Sequence, residues 1–151
     1  MRYKEFGKTG KEVSVLGFGG MRFDPEDEEM AIRAVHRAAE LGINYFDTAP
    51  GYCQDKSELF IGKALASLPE RMDKDIYIST KSHYRADPTA DDVRRRIDDQ
   101  LKKLRCEKIH FYNMWCILDL EQFDTIMPAH KNSRSANTWK TSPPSSMKNN
   151  M

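Results

Sequence analysis

Cysteine is scarce, with three residues, Cys53, Cys106 and Cys116, in a chain of 151. An odd count cannot pair fully within one chain, and the gaps of 53 and 10 residues match no zinc or haem spacing. A disulfide framework and a metal site are therefore not expected, and reduced thiols point to the cytoplasm. No stretch approaches the roughly 18 apolar residues of a membrane span. The opening Met1-Arg2-Tyr3-Lys4-Glu5 lacks the apolar stretch of a secretory signal. Neither sign of charge dominates: 24 Lys and Arg face 23 Asp and Glu, a net of +1. That balance argues against a strongly basic nucleic-acid binder. What is present is 39% hydrophobic residues, enough for one sizeable core.

The average conceals a break. Residues 128–151 hold Lys131, Arg134, Lys140 and Lys148 but no acid, so the first 127 residues carry all 23 acids. The same 24 residues hold five Ser, four Asn and three Pro. A segment of that composition buries too little apolar surface to offset its ordering entropy. The reading is an ordered domain over 1–127 and a disordered basic tail over 128–151. The tail's cations could mimic a phosphate site, but a flexible basic tail is the simpler reading.

Residues 1–127 repeat a strand–helix unit. Val13–Phe18, Ile43–Phe46, Ile76–Ser79 and Ile109–Tyr112 are short runs rich in β-branched and aromatic residues. Between them, Ala31, Val35, Ala38 and Ala39 share one helical face, as do Ile61, Ala64, Leu65 and Leu68. Val93, Ile97, Leu101 and Leu104 form the clearest stripe, with a solvated charged face opposite. Asp24-Pro25 and Asp87-Pro88 are expected helix starts, Ser57-Glu58 opens the middle helix, and Gly42 closes the first. Met1–Phe6 and Lys11–Val13 around Gly7-Lys8-Thr9-Gly10 read as a preceding β-hairpin. Repeated β/α units give a parallel sheet, either open or closed into a barrel. A (β/α)8 barrel needs roughly 200 residues, so a barrel would be represented here by its first half. Its outer strands would then be unpaired, with Leu16, Phe46, Ile78 and Phe111 expected to face water.

Functional groups in such folds lie just past the C-terminal strand ends. Gly17-Phe18-Gly19-Gly20-Met21-Arg22 follows the first strand, but Arg22 stands where a dinucleotide fingerprint needs glycine. Asp47 and Tyr52 follow the second strand, and Lys81 follows the third. A tyrosine can donate a proton to a carbonyl oxygen, a neighbouring ammonium favours the phenolate, and a carboxylate holds the ammonium in place. His83 reads as a loop residue after Lys81, His36 as mid-helix, and Cys53 as a passive thiol beside Tyr52.

Gly42-Ile43-Asn44-Tyr45-Phe46-Asp47-Thr48-Ala49, Tyr52, Ser57-Glu58 and Ile61-Gly62-Lys63-Ala64-Leu65 resemble the first signature of the aldo/keto reductases. Ile78-Ser79-Thr80-Lys81 resembles the family's strand bearing the catalytic lysine, and Val15–Met21 its opening strand. The resemblance covers about residues 1–127. It implies the N-terminal half of a (β/α)8 TIM barrel and hydride transfer between NADPH and a carbonyl or alcohol substrate. It also implies Tyr52 as general acid, Lys81 as its tuner, and Asp47 as partner of Lys81 and contact for NADP(H). Two departures accompany it. Trp115 stands at the family's usual histidine position, where His110, five residues earlier, cannot substitute. The groups that hold most of the cofactor belong to the second half of that barrel, and residues 128–151 match none of them. The expectation is an incomplete, inactive reductase copy; the alternative is a non-catalytic interaction or scaffold protein that self-associates through open sheet edges.

Overall fold

After the first strand of the main sheet, each strand pairs with the one that precedes it in the sequence. The computed structural model describes residues 1–69, 76–83 and 85–135. A hairpin of β1 (Tyr3–Glu5) and β2 (Glu12–Ser14) comes first. Four parallel strands follow, β3 (Phe18–Gly19), β4 (Tyr45–Asp47), β5 (Tyr77–His83) and β6 (Phe111–Trp115), in that spatial order. Among the described residues the helices are α1 (Glu28–Glu40), α2 (Ser57–Ala66), α3 (Ala90–Leu104) and α4 (Leu120–Ser135), with a 3₁₀ turn at Gly20–Arg22.

The expected run Val13–Phe18 is divided. Its first part belongs to the hairpin, and the sheet strand begins only at Phe18. The break is fixed by Asn44, whose side chain accepts from the Ser14 N–H at 2.7 Å and donates to the Glu12 carbonyl at 3.0 Å. Phe6 stacks near Phe111 and Tyr45, with ring centroids 4.5 and 6.0 Å apart, so the hairpin covers the N-terminal end of the sheet.

The helix stripes fold as their periods require. Val93, Ile97, Leu101 and Leu104 are buried, as are Ala31, Val35 and Ala38, and Ile61, Ala64 and Leu65. Phe46 and Ile78 join this layer and are buried, contrary to the expectation that they face water. Residues alternate between faces along a strand, so these two point to the helices. Leu16 does stay exposed, and Phe111 is half-buried.

The caps lie a few residues beyond the expected aspartates. Asp27, not Asp24, caps α1 by accepting from the Met30 N–H at 2.8 Å. Thr89 caps α3 in a reciprocal box with Asp92. Asp24 instead folds a turn onto the Glu26 N–H, and Asp87 is buried against the Arg96 guanidinium. The proline after each aspartate belongs to the approach, not to the helix. Gly42 follows α1 with φ +85°, a left-handed position that suits glycine.

The expected boundary at Met127 falls inside α4, which continues to Ser135 with Pro128 within it. Ile126 is buried, and the His130 ring lies 2.5 Å from the Ser82 hydroxyl on β5. His130, in the supposed tail, thus packs on the sheet. Lys131 is exposed on α4. Lys140 and Lys148 lie outside the described residues, as does the rest of the expected tail from 136 onward.

Candidate active site at the strand ends

Strand register places the chemistry. Asp47 pairs with Ser79, Lys81 with Asn113, and His83 with Trp115. Side chains alternate along strands, so Asp47, Ser79, Lys81, His83, Asn113 and Trp115 share the face turned away from the helices.

Lys81 is the centre of this face. Its ammonium donates to Asp47 Oδ2 at 2.6 Å and to the Thr48 carbonyl at 2.7 Å. Only 14% of its side chain is exposed, so water screens the pair weakly. Asp47 Oδ1 accepts from the Ser79 hydroxyl at 2.8 Å, and Ser79 accepts from the Asn113 amide at 3.0 Å. A continuous hydrogen-bond chain therefore runs from β6 to the lysine. The Lys81 Nζ also lies 5.1 Å from the centre of the Tyr52 ring. The three residues singled out in the sequence are brought together.

The Tyr52 ring meets Trp115 edge-on at 5.6 Å, and Trp115 meets His83 at 5.4 Å. His83 is the last residue of β5 rather than a loop residue, and its ring meets the indole of the site. His110 lies at the opposite end of the sheet, where its Nδ1 accepts from the Ile78 N–H at 3.1 Å. Burial and the nearby Lys108 and Lys11 push its pKa down to about 4, so the ring is neutral. His36 bridges helices, with Nε2 2.9 Å from the Ala64 carbonyl.

Tyr52 sits on a loop of unusual backbone. Cys53, Gln54 and Asp55 have φ of 53°, 55° and 66°. Three successive left-handed residues are costly for side-chain-bearing positions. Asp55 anchors them: its carboxylate accepts from the Gly51 N–H at 3.1 Å and the Lys103 ammonium at 2.8 Å. Burial raises the Asp55 pKa, but these two partners outweigh it and hold the carboxyl below its usual range. The Cys53 thiol donates to the Gly20 and Met21 carbonyls at 3.4 and 3.2 Å.

Sequence reasoning gave no site role to Ser79, Asp55, Lys103 or the buried Glu58 and Gln100. A usable signal existed for the last two. Gln100 interrupts the apolar stripe between Ile97 and Leu104, and Glu58 precedes Ile61 by three on the buried face of α2. A polar residue on such a face must have a partner.

Among the described residues no group of three or more His, Cys, Asp or Glu is placed to hold a metal ion, and no helix is long and apolar enough to cross a membrane.

A family model described as "Aldo/keto reductase family" matches residues 15–130. L-galactose dehydrogenase of Arabidopsis thaliana is 37% identical over 113 residues, covering 70% of this chain and 35% of that protein. The uncharacterized oxidoreductase YrpG of Bacillus subtilis is 32% identical over 148 residues, covering 85% and 44%. Among solved structures, the holo form of the aldo-keto reductase AKR11C1 from Bacillus halodurans superposes with a TM-score of 0.75 at 28% identity, covering 89% of this chain and 47% of that one. The chain thus spans between a third and a half of the length of these relatives.

Proposed function

This chain belongs to the aldo/keto reductase family and forms the first half of its barrel, and on that premise we propose that it carries the proton-delivering side of an NADPH-dependent carbonyl reductase. The observation that supports this most directly is the placement of Lys81, held by Asp47 at 2.6 Å and 5.1 Å from the Tyr52 ring.

Tyr52 is the proton donor to a carbonyl oxygen. The Lys81 charge stabilises the phenolate left behind. Asp47 and the Thr48 carbonyl stop the ammonium from swinging away, and Ser79 with Asn113 fixes the Asp47 carboxylate in turn. Trp115 packs the tyrosine ring and offers one N–H donor that does not titrate.

The residues present suit the cofactor on this side. Asp47 keeps 31% of its side chain exposed although both oxygens are engaged. It therefore presents accessible lone pairs to a sugar hydroxyl of NADP(H) while still holding the lysine. The bound dinucleotide supplies the hydride. Orienting two reactants contributes roughly 7–11 kcal/mol, so these 151 residues alone should turn over several powers of ten more slowly than a whole barrel.

A chimera tests the reading. Residues 15–130 would replace the matching segment of the Bacillus halodurans reductase, and NADPH oxidation would be followed with a panel of aldehydes. Turnover that disappears with Tyr52→Phe is expected. A folded chimera without turnover, or turnover that survives the substitution, overturns it.

A second reading, an interaction protein, is favoured by the edge of β6 that no described strand covers. There a groove of about 670 Å³ is lined by Phe111, Tyr112, Met114 and Met127. Association through this strand is expected to compete with cofactor binding in sedimentation experiments.

A further inference from the structure

Behind the Lys81 site lies a group of buried polar side chains that the chemistry above does not use. Glu58 on α2, Thr80 on β5 and Gln100 on α3 are each no more than 1% exposed. The Thr80 hydroxyl donates to Glu58 Oε1 at 2.7 Å. The Gln100 amide nitrogen lies 2.9 Å from Glu58 Oε1, 2.9 Å from the Lys81 carbonyl and 3.1 Å from Thr80 Oγ1. A backbone carbonyl can only accept, so it must be the nitrogen of Gln100 that faces Lys81. The orientation of the carboxamide is thereby fixed by chemistry.

Two oxygens are left over. Glu58 Oε2 and Gln100 Oε1 are buried and have no hydrogen-bond partner. As a carboxylate, Glu58 would carry two donors on one oxygen and none on the other, with the second facing low-dielectric protein. An unpaired buried anion is costly, and a bare buried acceptor beside it adds to the cost. One proton removes both deficits. It turns Oε2 into a donor, and Gln100 Oε1 is the acceptor that a cyclic acid–amide pair presents to it. The amide N–H already reaches Oε1, which is the other half of that ring.

We propose that Glu58 is a neutral carboxylic acid in the folded chain, paired face to face with the Gln100 carboxamide, and that this pair is a positioning device for Lys81. It holds the lysine's peptide while Asp47 and Thr48 hold its ammonium. The positioning part rests on the reading of Lys81 as the tuning amine. The groups that act on Glu58 electrically come from several elements. Lys103 on α3 favours its charge, and Asp55 on the Tyr52 loop opposes it. Arg96 on α3, Tyr112 on β6 and Cys106 after α3 also sense it. Burial is the largest influence and holds the carboxyl above its ordinary value of 4.5. Thr80 and Gln100 act in the opposite direction by hydrogen bonding.

The test is carbon-13 NMR of the full chain across pH, following the Glu58 side-chain carboxyl and the Lys81 backbone carbonyl. The Glu58 signal is assigned by its loss in Glu58→Gln. We expect a protonated carboxyl at pH 7, and a Lys81 carbonyl shift that moves with the same midpoint when Glu58 finally ionises. Glu58→Gln offers the same donor and acceptor, so its Lys81 carbonyl should stay at the neutral-pH position and lose that pH dependence. A Glu58 carboxyl at the carboxylate position at pH 7 overturns the proposal. A Lys81 carbonyl indifferent to the Glu58 titration overturns its positioning part. If Glu58→Gln does not fold, the titration of the unsubstituted chain, assigned through its backbone, still decides both. Neither signal requires hydride transfer, so an inactive chain and a wrong proposal are told apart.

Discussion

Gly62 lies directly against the backbone of Lys103. A Cβ built on Gly62 would sit 2.3 Å from the Lys103 carbonyl oxygen and 2.7 Å from the Leu104 Cα. The absence of a side chain at this point lets α2 and α3 approach closely, and α3 thereby brings Lys103 and Gln100 to the loop and strand of the site. Gly62→Ala should destabilise the chain by about 1–3 kcal/mol, since neither backbone can move aside cheaply. Urea unfolding would show it as a lower midpoint at unchanged slope.

His110 makes stability depend on acid. Its folded pKa, pushed down to about 4 from 6.5, means that the unfolded chain binds the extra proton first. The contribution is present above pH 6.5 and is lost as pH falls towards 4. Because the ring is half-exposed, the loss should be about 1–2 kcal/mol. Glu58, with its raised pKa, acts oppositely: its contribution is present below 4.5 and lost as pH rises through the folded value. Stability of Glu58→Gln should therefore rise more steeply from pH 4 to 7 than that of the unsubstituted chain, and that of His110→Gln less steeply, as denaturation at several pH values would show.

Thr89→Ala should cost about 1 kcal/mol through loss of the capping box, whereas Asp87→Ala should cost more by removing the buried partner of the part-buried Arg96. Thermal unfolding of the two variants gives the order; a larger loss for Thr89→Ala would contradict it.

Gln54→Gly should stabilise the chain by about 0.5–1 kcal/mol, because glycine accepts the left-handed backbone that glutamine there resists. A rise in melting temperature checks this, and a fall would mean that the loop is not strained at that residue.

Lys81→Met should lower turnover of the chimera by about 10²–10⁴, the usual scale of lost acid–base assistance. Asp47→Asn should act in the same direction but less, because the Thr48 carbonyl still holds the ammonium. Steady-state kinetics with saturating NADPH distinguishes the two.

Much of this arrangement was legible because periodicity is a strong signal. Val93, Ile97, Leu101 and Leu104 could only be one face of a helix, and Asp47, Tyr52 and Lys81 were found by looking near the C-terminal strand ends, although Asp47 and Lys81 lie within β4 and β5 rather than past them. What was not legible depends on partners distant in sequence. Nothing near Asn44 announces that its side chain will tie Ser14 and end a strand thirty residues earlier. Asp87 reads as a cap because Arg96 is invisible to local pattern. The helix across Met127 was missed for a related reason: composition suggested disorder from residue 128 onward, but the helix runs on to Ser135 and His130 reaches Ser82 on the sheet.

The spatial order β3-β4-β5-β6 repeats the order of synthesis. Each new strand finds the free edge left by the one before it, and no segment has to wait for a distant one to emerge. The sheet can therefore be laid down from one side as the chain leaves the ribosome, with the growing edge always the most recently made. Damage should be read in the same direction. A fault in β4 deprives everything laid afterwards of a template, whereas a fault in β6 leaves the earlier strands paired.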